Sequence, residues 1–598
     1  MRLVITKKVV HRYGPLFIEA SYNTAWTGEG VSFRAFNVGT DDGHYTDFVW
    51  SFDDPGTTYK NHDPECPLPN DRNLAYGPIV GHTWLTPGVK TVTCTQRTPL
   101  GQMIAATFEV TVTEPTEAEF DRILYVSFAD NFTGAPAAAG KIEHISNADD
   151  LRDRITSNTW ILFRRGETFD VQRADGSERH GLSLGVGLNL WTEWGEGDPA
   201  VYQISRATAD GVSHDGSMIR TGAAESGAMR FSIQGMKFSG GYDPLANPEA
   251  EIKGSFNPAL QRTRFTIQDA GTDFRFSAWQ TEYDGLIDAG ADIRLSGANI
   301  YMGDFLITNW QDYGWGHFGV SQTRFFDGGI IRQKEGVLSQ DGKQEGVDVT
   351  DPSHGCVRAG PPIKWHGAYL TSYSTGGGWF SNIGYGRTEQ PCDRLNWGNE
   401  DNTDKRVAYT GCAFEGGQDV CVYGKTNSDD VLPSVGRGIY QMCRFYGTEW
   451  TVAFITIAQG GLVVRNCIGI MPDVENVFGG FSRFINMATR HPNTSLEAYQ
   501  APVVAESNTM VSLQSLANND DAMVFMNMPT EASITERNNL LVGPHRPNEL
   551  PDWSPLGANY APITGSAAIG AAEGAPYRDL TGAVRPVPGA VGAQELAP

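Results

Sequence analysis

Seven short stretches in the second half of the chain share one plan: a run of β-formers, a turn of small or polar residues, then a second short run. They read SQTRFFDGG (321–329), WHGAYLTSY (365–373), YTGCAFEGG (409–417), YQMCRFYGT (440–448), VRNCIGIMP (464–472), ESNTMVSLQ (506–514) and ERNNLLVGP (536–544). Aligned on Thr323, Ala368, Cys412, Cys443, Cys467, Thr509 and Asn539, they are separated by 45, 44, 31, 24, 42 and 30 residues. Stacked architectures repeat every roughly 20–45 residues, and stacking asks only that small or apolar side chains point inward at matching places. The spacings therefore fit single turns of a parallel β-stack that carry loops, or double turns. In such a stack Cys412, Cys443 and Cys467 become an interior ladder of small thiols. A disulfide or a metal site is the competing reading of that trio, but the eight cysteines show neither paired C-x-x-C spacing nor histidine partners.

A stack whose turns bury their faces only against neighbours needs a cover at each end. Ahead of it, ILYVS is followed by SNADDLRDRI, where Ser146 or Asn147 can cap a short helix that carries Leu151 and Ile155 on one face. TWILFRRGETFDV then reads as a strand ending at a glycine turn. The tail reads PITGSAAIGAA (562–572), then RDLTGAVRPVPGAVGAQE (578–595). These ends resemble the N-terminal cap and the closing segment of right-handed parallel β-helix proteins. Asp579, Gly582, Arg585, Gly592, Ala593 and Glu595 stand where that group carries its closing residues, and Ala567 replaces a proline. The resemblance implies a fold and says nothing about activity.

The front of the chain is different. GVSFRAFNV, FVWSFDD, GHTW, VKTVTCT and ATFEVTV alternate with turn clusters at the density of a β-sandwich of about 100 residues. Trp50 supplies the bulk of its core, and Pro87-Gly88 makes a turn into the strand Val89–Thr95. The module resembles a PKD domain, an immunoglobulin-like sandwich. Trp50, Phe52 and Asp53 match that family's Trp-x-Phe-Gly-Asp turn, and His82, Trp84, Pro87 and Gly88 match its His-x-Tyr and Pro-Gly. It departs from the family in Asp53-Asp54-Pro55 and in a long insertion, 57–80, that contains Cys66. The module implies a spacer or adaptor. Asp41, Asp42 and Asp53, with Asp47 and Asp54, could hold a Ca²⁺ through oxygen ligands; as solvated turn carboxylates they need none, and no other cofactor is expected.

The expected fold is thus all-β: an arm (1–14), a PKD-like sandwich (15–114), a linker and N-terminal helical cap (115–170), a right-handed parallel β-helix (171–560) and a closing segment (561–598). With 46 basic and 70 acidic residues the net charge is −24, which disfavours nucleic acid as a partner. No stretch is apolar for long enough to span a membrane, and MRLVITKKVVHRYGPLFIEAS lacks the apolar core of a secretory leader.

Aromatic and ionisable residues are densest from Tyr301 to Asn402. Flat rings and carboxylates along a β-helix wall suit a glycan, which makes Trp310, Tyr313, Trp315, His317, Trp365, Tyr373, Trp379 and Trp397 candidate binding residues. Packing inside the stack is the alternative for each ring. Asp312 with Asp327 or Glu335 is the candidate carboxylate pair for glycoside hydrolysis. Lys364 and Arg387 would serve a lyase, although the net charge of −24 argues against an acidic polymer. A β-helix behind a sandwich, without leader or anchor, resembles bacteriophage tailspikes and fibres. That likeness implies a homotrimeric virion protein, made in the host cytoplasm, that attaches to host surface polysaccharide and joins other virion proteins through its N-terminal domain, with the rod reaching outward. A secreted polysaccharide-degrading enzyme and a non-enzymatic bacterial adhesin are the alternatives.

Overall fold

The computed structural model describes residues 16–37, 47–77, 79–97, 103–171, 181–204, 216–221, 229–240, 263–268, 274–286, 298–308, 315–316, 321–332, 357–358, 363–366, 369–371, 386–387, 407–415, 419–425, 438–447, 453–457, 462–473, 483–486, 503–513, 524–527 and 534–542. Their regular structure is β-strand apart from the 3₁₀ turn Glu117–Glu119 and the helix Ala148–Arg154. From Arg122 onward the strands pair in parallel, in an arrangement consistent with a β-helix. One sheet has fourteen strands, from Ile142–Ile145 and Arg122–Val126 through Thr159–Arg164, Gly187–Trp194, Met229–Gln234, Phe274–Trp279, Ala298–Gly303 and Ser321–Asp327 to Ile534–Arg537. A second sheet has twelve, from Thr168–Asp170 to Leu540–Val542. Shorter parallel sheets, one of them formed by Leu182–Leu184, Gly216–Thr221 and Thr263–Gln268, complete the rungs.

Corners between the first two sheets share one geometry. Gln280, Asp304, Met442, Asn466, Ser507 and Asn538 all have φ of 51–56°, the left-handed conformation that turns the chain sharply. The residue after each corner faces inward, and Cys412, Cys443 and Cys467 occupy this place, each fully buried as a free thiol. Their ladder is linked from rung to rung: the Cys443 N–H donates to Cys467 Sγ at 3.4 Å, and the Cys467 N–H donates to Asn508 Oδ1 at 2.9 Å. Asn508 and Asn539 continue it with side-chain amides. Pairing sets the true register: Asp327, His366, Thr410, Gln441, Arg465, Glu506 and Arg537 lie opposite one another, 39, 44, 31, 24, 41 and 31 residues apart. The alignment from sequence therefore holds at Cys412, Cys443, Cys467 and Asn539. It slips at Thr323, where Gly329 holds the corner place, and by one residue at Thr509, where Asn508 does.

Within each rung, period-two alternation sorts side chains between core and wall. Phe231, Ile233, Phe276, Ala278, Ile300, Met302 and Phe326 point inward into one continuous core. Asn147 caps the helix Ala148–Arg154, accepting from the Asp150 N–H at 2.8 Å, and Leu151 is buried in that same core with Ile155 packed against it.

The N-terminal strands, from Leu16 to Thr113, form a three-stranded and a five-stranded sheet around a separate core of Trp50, Trp84, Phe33, Phe52, Val31 and Val92. That core does not stop at the module's edge. Trp279, Tyr301 and Phe325, from the outward row of the fourteen-stranded sheet, belong to it. The three-stranded sheet lies on this wall, so strand Ile79–Thr83 is buried on both faces. Two glycines allow the approach. A Cβ on Gly30 would lie 2.0 Å from the Tyr301 ring, and one on Gly81 2.5 Å from the Phe325 ring. The module thus covers the flank of the stack, where a mount ahead of an outward-reaching rod was expected.

Candidate functional site

The seam between module and stack is the most chemically elaborate place among the described residues. It begins at Glu29, fully buried, which accepts from the Trp26 N–H at 2.9 Å and from Arg230 Nε at 2.8 Å. Arg275 Nε lies 2.8 Å from the same carboxylate. Both guanidiniums stack on module rings, Arg230 at 3.4 Å over Trp26 and Arg275 at 3.6 Å over Tyr22. Burial pushes Arg275 down to about 10, against the pull of Glu29. Beside this triad Gln234 Nε2 donates to the Thr27 carbonyl, and the Gly30 N–H donates to Ser277 Oγ, each at 2.8 Å.

Further along, the corner residue Asp304 is fully buried and accepts from the N–H groups of Lys60 (2.9 Å) and Asn61 (2.6 Å) and from Gln280 Nε2 (2.8 Å). Asp327, 1% exposed, accepts from the hydroxyls of Tyr59 at 2.5 Å and Tyr301 at 2.9 Å. Burial, and then the adjacent Asp327 carboxylate, hold both phenols well above their ordinary value. The buried Arg72 stacks 4.3 Å over Trp279 and donates to the Thr83 carbonyl. Behind it His82 Nε2 contacts Asp54 Oδ2 at 2.9 Å, with the imidazole stacked 4.4 Å from Phe52. Burial keeps His82 below its usual value. Burial also pushes the Asp54 carboxyl up, but hydrogen bonding and charge from His82, with Arg72, win and leave it below.

This arrangement joins two bodies through ion pairs and charge-assisted hydrogen bonds. It leaves Asp327 enclosed, with two tyrosine hydroxyls on its oxygens, where no substrate reaches it without displacement of the module. Trp365 sits in strand Ile363–His366, in register with Phe326 and Tyr409, whose rings pack in the interior core. Trp315 lies in the pair Trp315–Gly316 with Val357–Arg358. Asp53 is exposed with φ of 55° and accepts weakly from the Thr91 N–H at 3.4 Å. Among the described residues no three His, Cys, Asp or Glu side chains gather closely enough to hold a metal. Trp310, Asp312, Tyr313, His317, Glu335, Tyr373, Trp379, Trp397, Asp41 and Asp42 lie outside the described residues, as do the side chains of Lys364 and Arg387 and the segment 561–598.

Sequence reading took Asp327 for a catalytic carboxylate and missed Glu29, Tyr59, Arg230, Arg275 and Asp304 of the seam. The signal for the two arginines lies in three strands with one pattern, MRFSIQ (229–234), TRFTIQ (263–268) and FRFSAW (274–279), in which Arg and Ser or Thr alternate with apolar residues. In the first and third, the Arg, the Ser and the Gln or Trp face the module. Compared with known proteins, the chain matches no family model, no curated protein and no solved structure.

Proposed function

We propose that this chain is a bacteriophage virion protein, a tailspike, fibre or decoration protein, that attaches to host surface glycan. In this reading the parallel sheets are a right-handed β-helix closed by the short helix at Ala148–Arg154, the two-sheet module is PKD-like, and three copies assemble. The observation that carries it is the contrast between invariant rung geometry and variable rung length. Corners and interior repeat, while successive rungs take 24 residues at one place and 45 at another. A rigid wall with excursions of differing length is suited to present a binding surface. The enclosure of Asp327 takes one carboxylate away from the cleaving alternative and so favours binding without hydrolysis. Capsule and lipopolysaccharide arrays probed with the purified chain test the proposal. Retention on one glycan without release of reducing or unsaturated ends supports it, as does detection of the chain in purified virions. Steady release of reducing ends would replace it with the enzyme reading.

A further inference from the structure

The insertion 57–80, an unexplained departure at the sequence level, meets the stack along its length. Lys60 Nζ pairs with Glu282 at 3.4 Å, Lys60 and Asn61 bind Asp304, and Tyr59 binds Asp327. Cys66 packs with Ala413 and Ile330, and Leu68 with Met442 and Ile468. Glu65 pairs with Arg444 at 3.3 Å and accepts from the Tyr446 hydroxyl at 2.5 Å. Glu282 and Ile468 belong to the first and last of seven consecutive strands of the second sheet, a span of about 29 Å at ~4.8 Å per strand.

The segment is stiffened by its own bonds. Asn70 accepts from the Tyr59 N–H at 2.7 Å and donates to the Tyr59 carbonyl at 3.0 Å. The Arg72 N–H donates to the Thr57 carbonyl at 3.0 Å, closing the loop at its base. Asn73 Oδ1 accepts from the Asp54 N–H at 2.8 Å, fixing that base to the module.

In a stack each rung otherwise touches only its neighbours, so rungs separated by long intervening sequence are coupled weakly. The segment crosses two places where successive strands of the first two sheets are more than thirty residues apart, Arg332 to Ile363 and Thr371 to Val407. We infer that residues 57–76 are a strap that ties non-neighbouring rungs together and, granted the attachment function proposed above, positions the surface those rungs present. Tyr59, Glu65, Cys66 and Leu68 are then positioning residues. They act by holding rungs, and none needs to touch glycan.

Hydrogen exchange on the full chain tests the strap. In Leu68→Ala, amides of Ala413–Glu415, Arg444–Tyr446 and Ile468–Met471 should exchange at least tenfold faster, while Arg122–Val126 and Thr159–Arg164 stay within twofold. Glu65→Gln, at a half-exposed site that will not compromise folding, should give the same pattern with a smaller amplitude. Unchanged exchange in the strapped rungs, or equal acceleration at both ends, would overturn the inference. The array binding of the same variants tests the positioning role: binding should fall along with protection, and full binding by a loosened chain would refute it. A wild-type chain that binds no glycan defeats the attachment proposal, and the strap is then judged by exchange alone.

Discussion

Replacing Asp327 by Asn separates the two roles this carboxylate has been given. The side chain is 1% exposed, and both hydroxyls aimed at it donate to a charged acceptor. A hydrogen bond to a charged partner contributes roughly 1.5–3 kcal/mol, and leaving a buried donor badly paired costs about as much again. Asn offers one carbonyl oxygen and turns an NH₂ toward the other phenol. The expected loss is therefore about 2–4 kcal/mol, less than the full value of two bonds because the amide keeps one of them. Denaturant titration of the full chain, followed by tryptophan fluorescence, should show a lower midpoint at an unchanged slope. Asp53→Asn, at an exposed carboxylate, is the control and should stay within about 0.5 kcal/mol. Combining Asp327→Asn with Tyr59→Phe should cost less than the sum of the two, with a coupling of roughly 0.5–3 kcal/mol, since both remove one interaction. A midpoint identical to wild type for Asp327→Asn would refute the claim that this residue fastens the seam.

Other expectations follow from the same geometry. Gly81→Ala places a methyl 2.5 Å from the Phe325 ring and should destabilise by about 1–3 kcal/mol, with part of the loss recovered in Gly81→Ala/Phe325→Leu, as read by thermal melts. His82 is held neutral by burial, so below pH ~6.5 the unfolded chain takes up a proton that the folded chain refuses. Stability should therefore fall as pH drops through that window, and His82→Gln should flatten the slope measured by denaturation at a series of pH values. Tyr59, Tyr301, Tyr202 and Tyr283 keep their protons beyond the ordinary phenol range because of burial. Their contribution is complete below pH ~10 and is lost as pH rises above it. Tyr59→Phe should make alkaline unfolding, followed by circular dichroism, less steep.

What the sequence made legible is what depends on local pattern. The places just after the corners announced themselves as small residues between β-runs, which is why the cysteine ladder came out correctly. The helix cap at Asn147 was legible because a short polar side chain must meet an orphan N–H two or three residues on. The slips have the same origin. At Thr323 and Thr509 a small β-former imitates a corner residue, and only strand pairing reveals that the left-handed residue precedes Gly329 and Asn508. The seam was not legible. Nothing local distinguishes Trp279, Tyr301 or Phe325, which cover the outside of a wall, from rings that fill its inside, and Tyr301 was accordingly counted in the aromatic region assigned to glycan. Asp327 was misleading for a related reason, since a carboxylate enclosed by a partner 268 residues away looks, in one dimension, like a free one.

Zero-length carbodiimide coupling of the full chain, followed by peptide mass spectrometry, tests the docking of the module on the stack most directly. Lys60 and Glu282 are 3.4 Å apart across the seam, and Lys237 and Asp284 are 3.1 Å apart within the stack. Both pairs should be recovered as isopeptides from monomeric protein. Recovery of Lys237–Asp284 without Lys60–Glu282 would contradict the account, because the stack would then be formed while the module hung free of it.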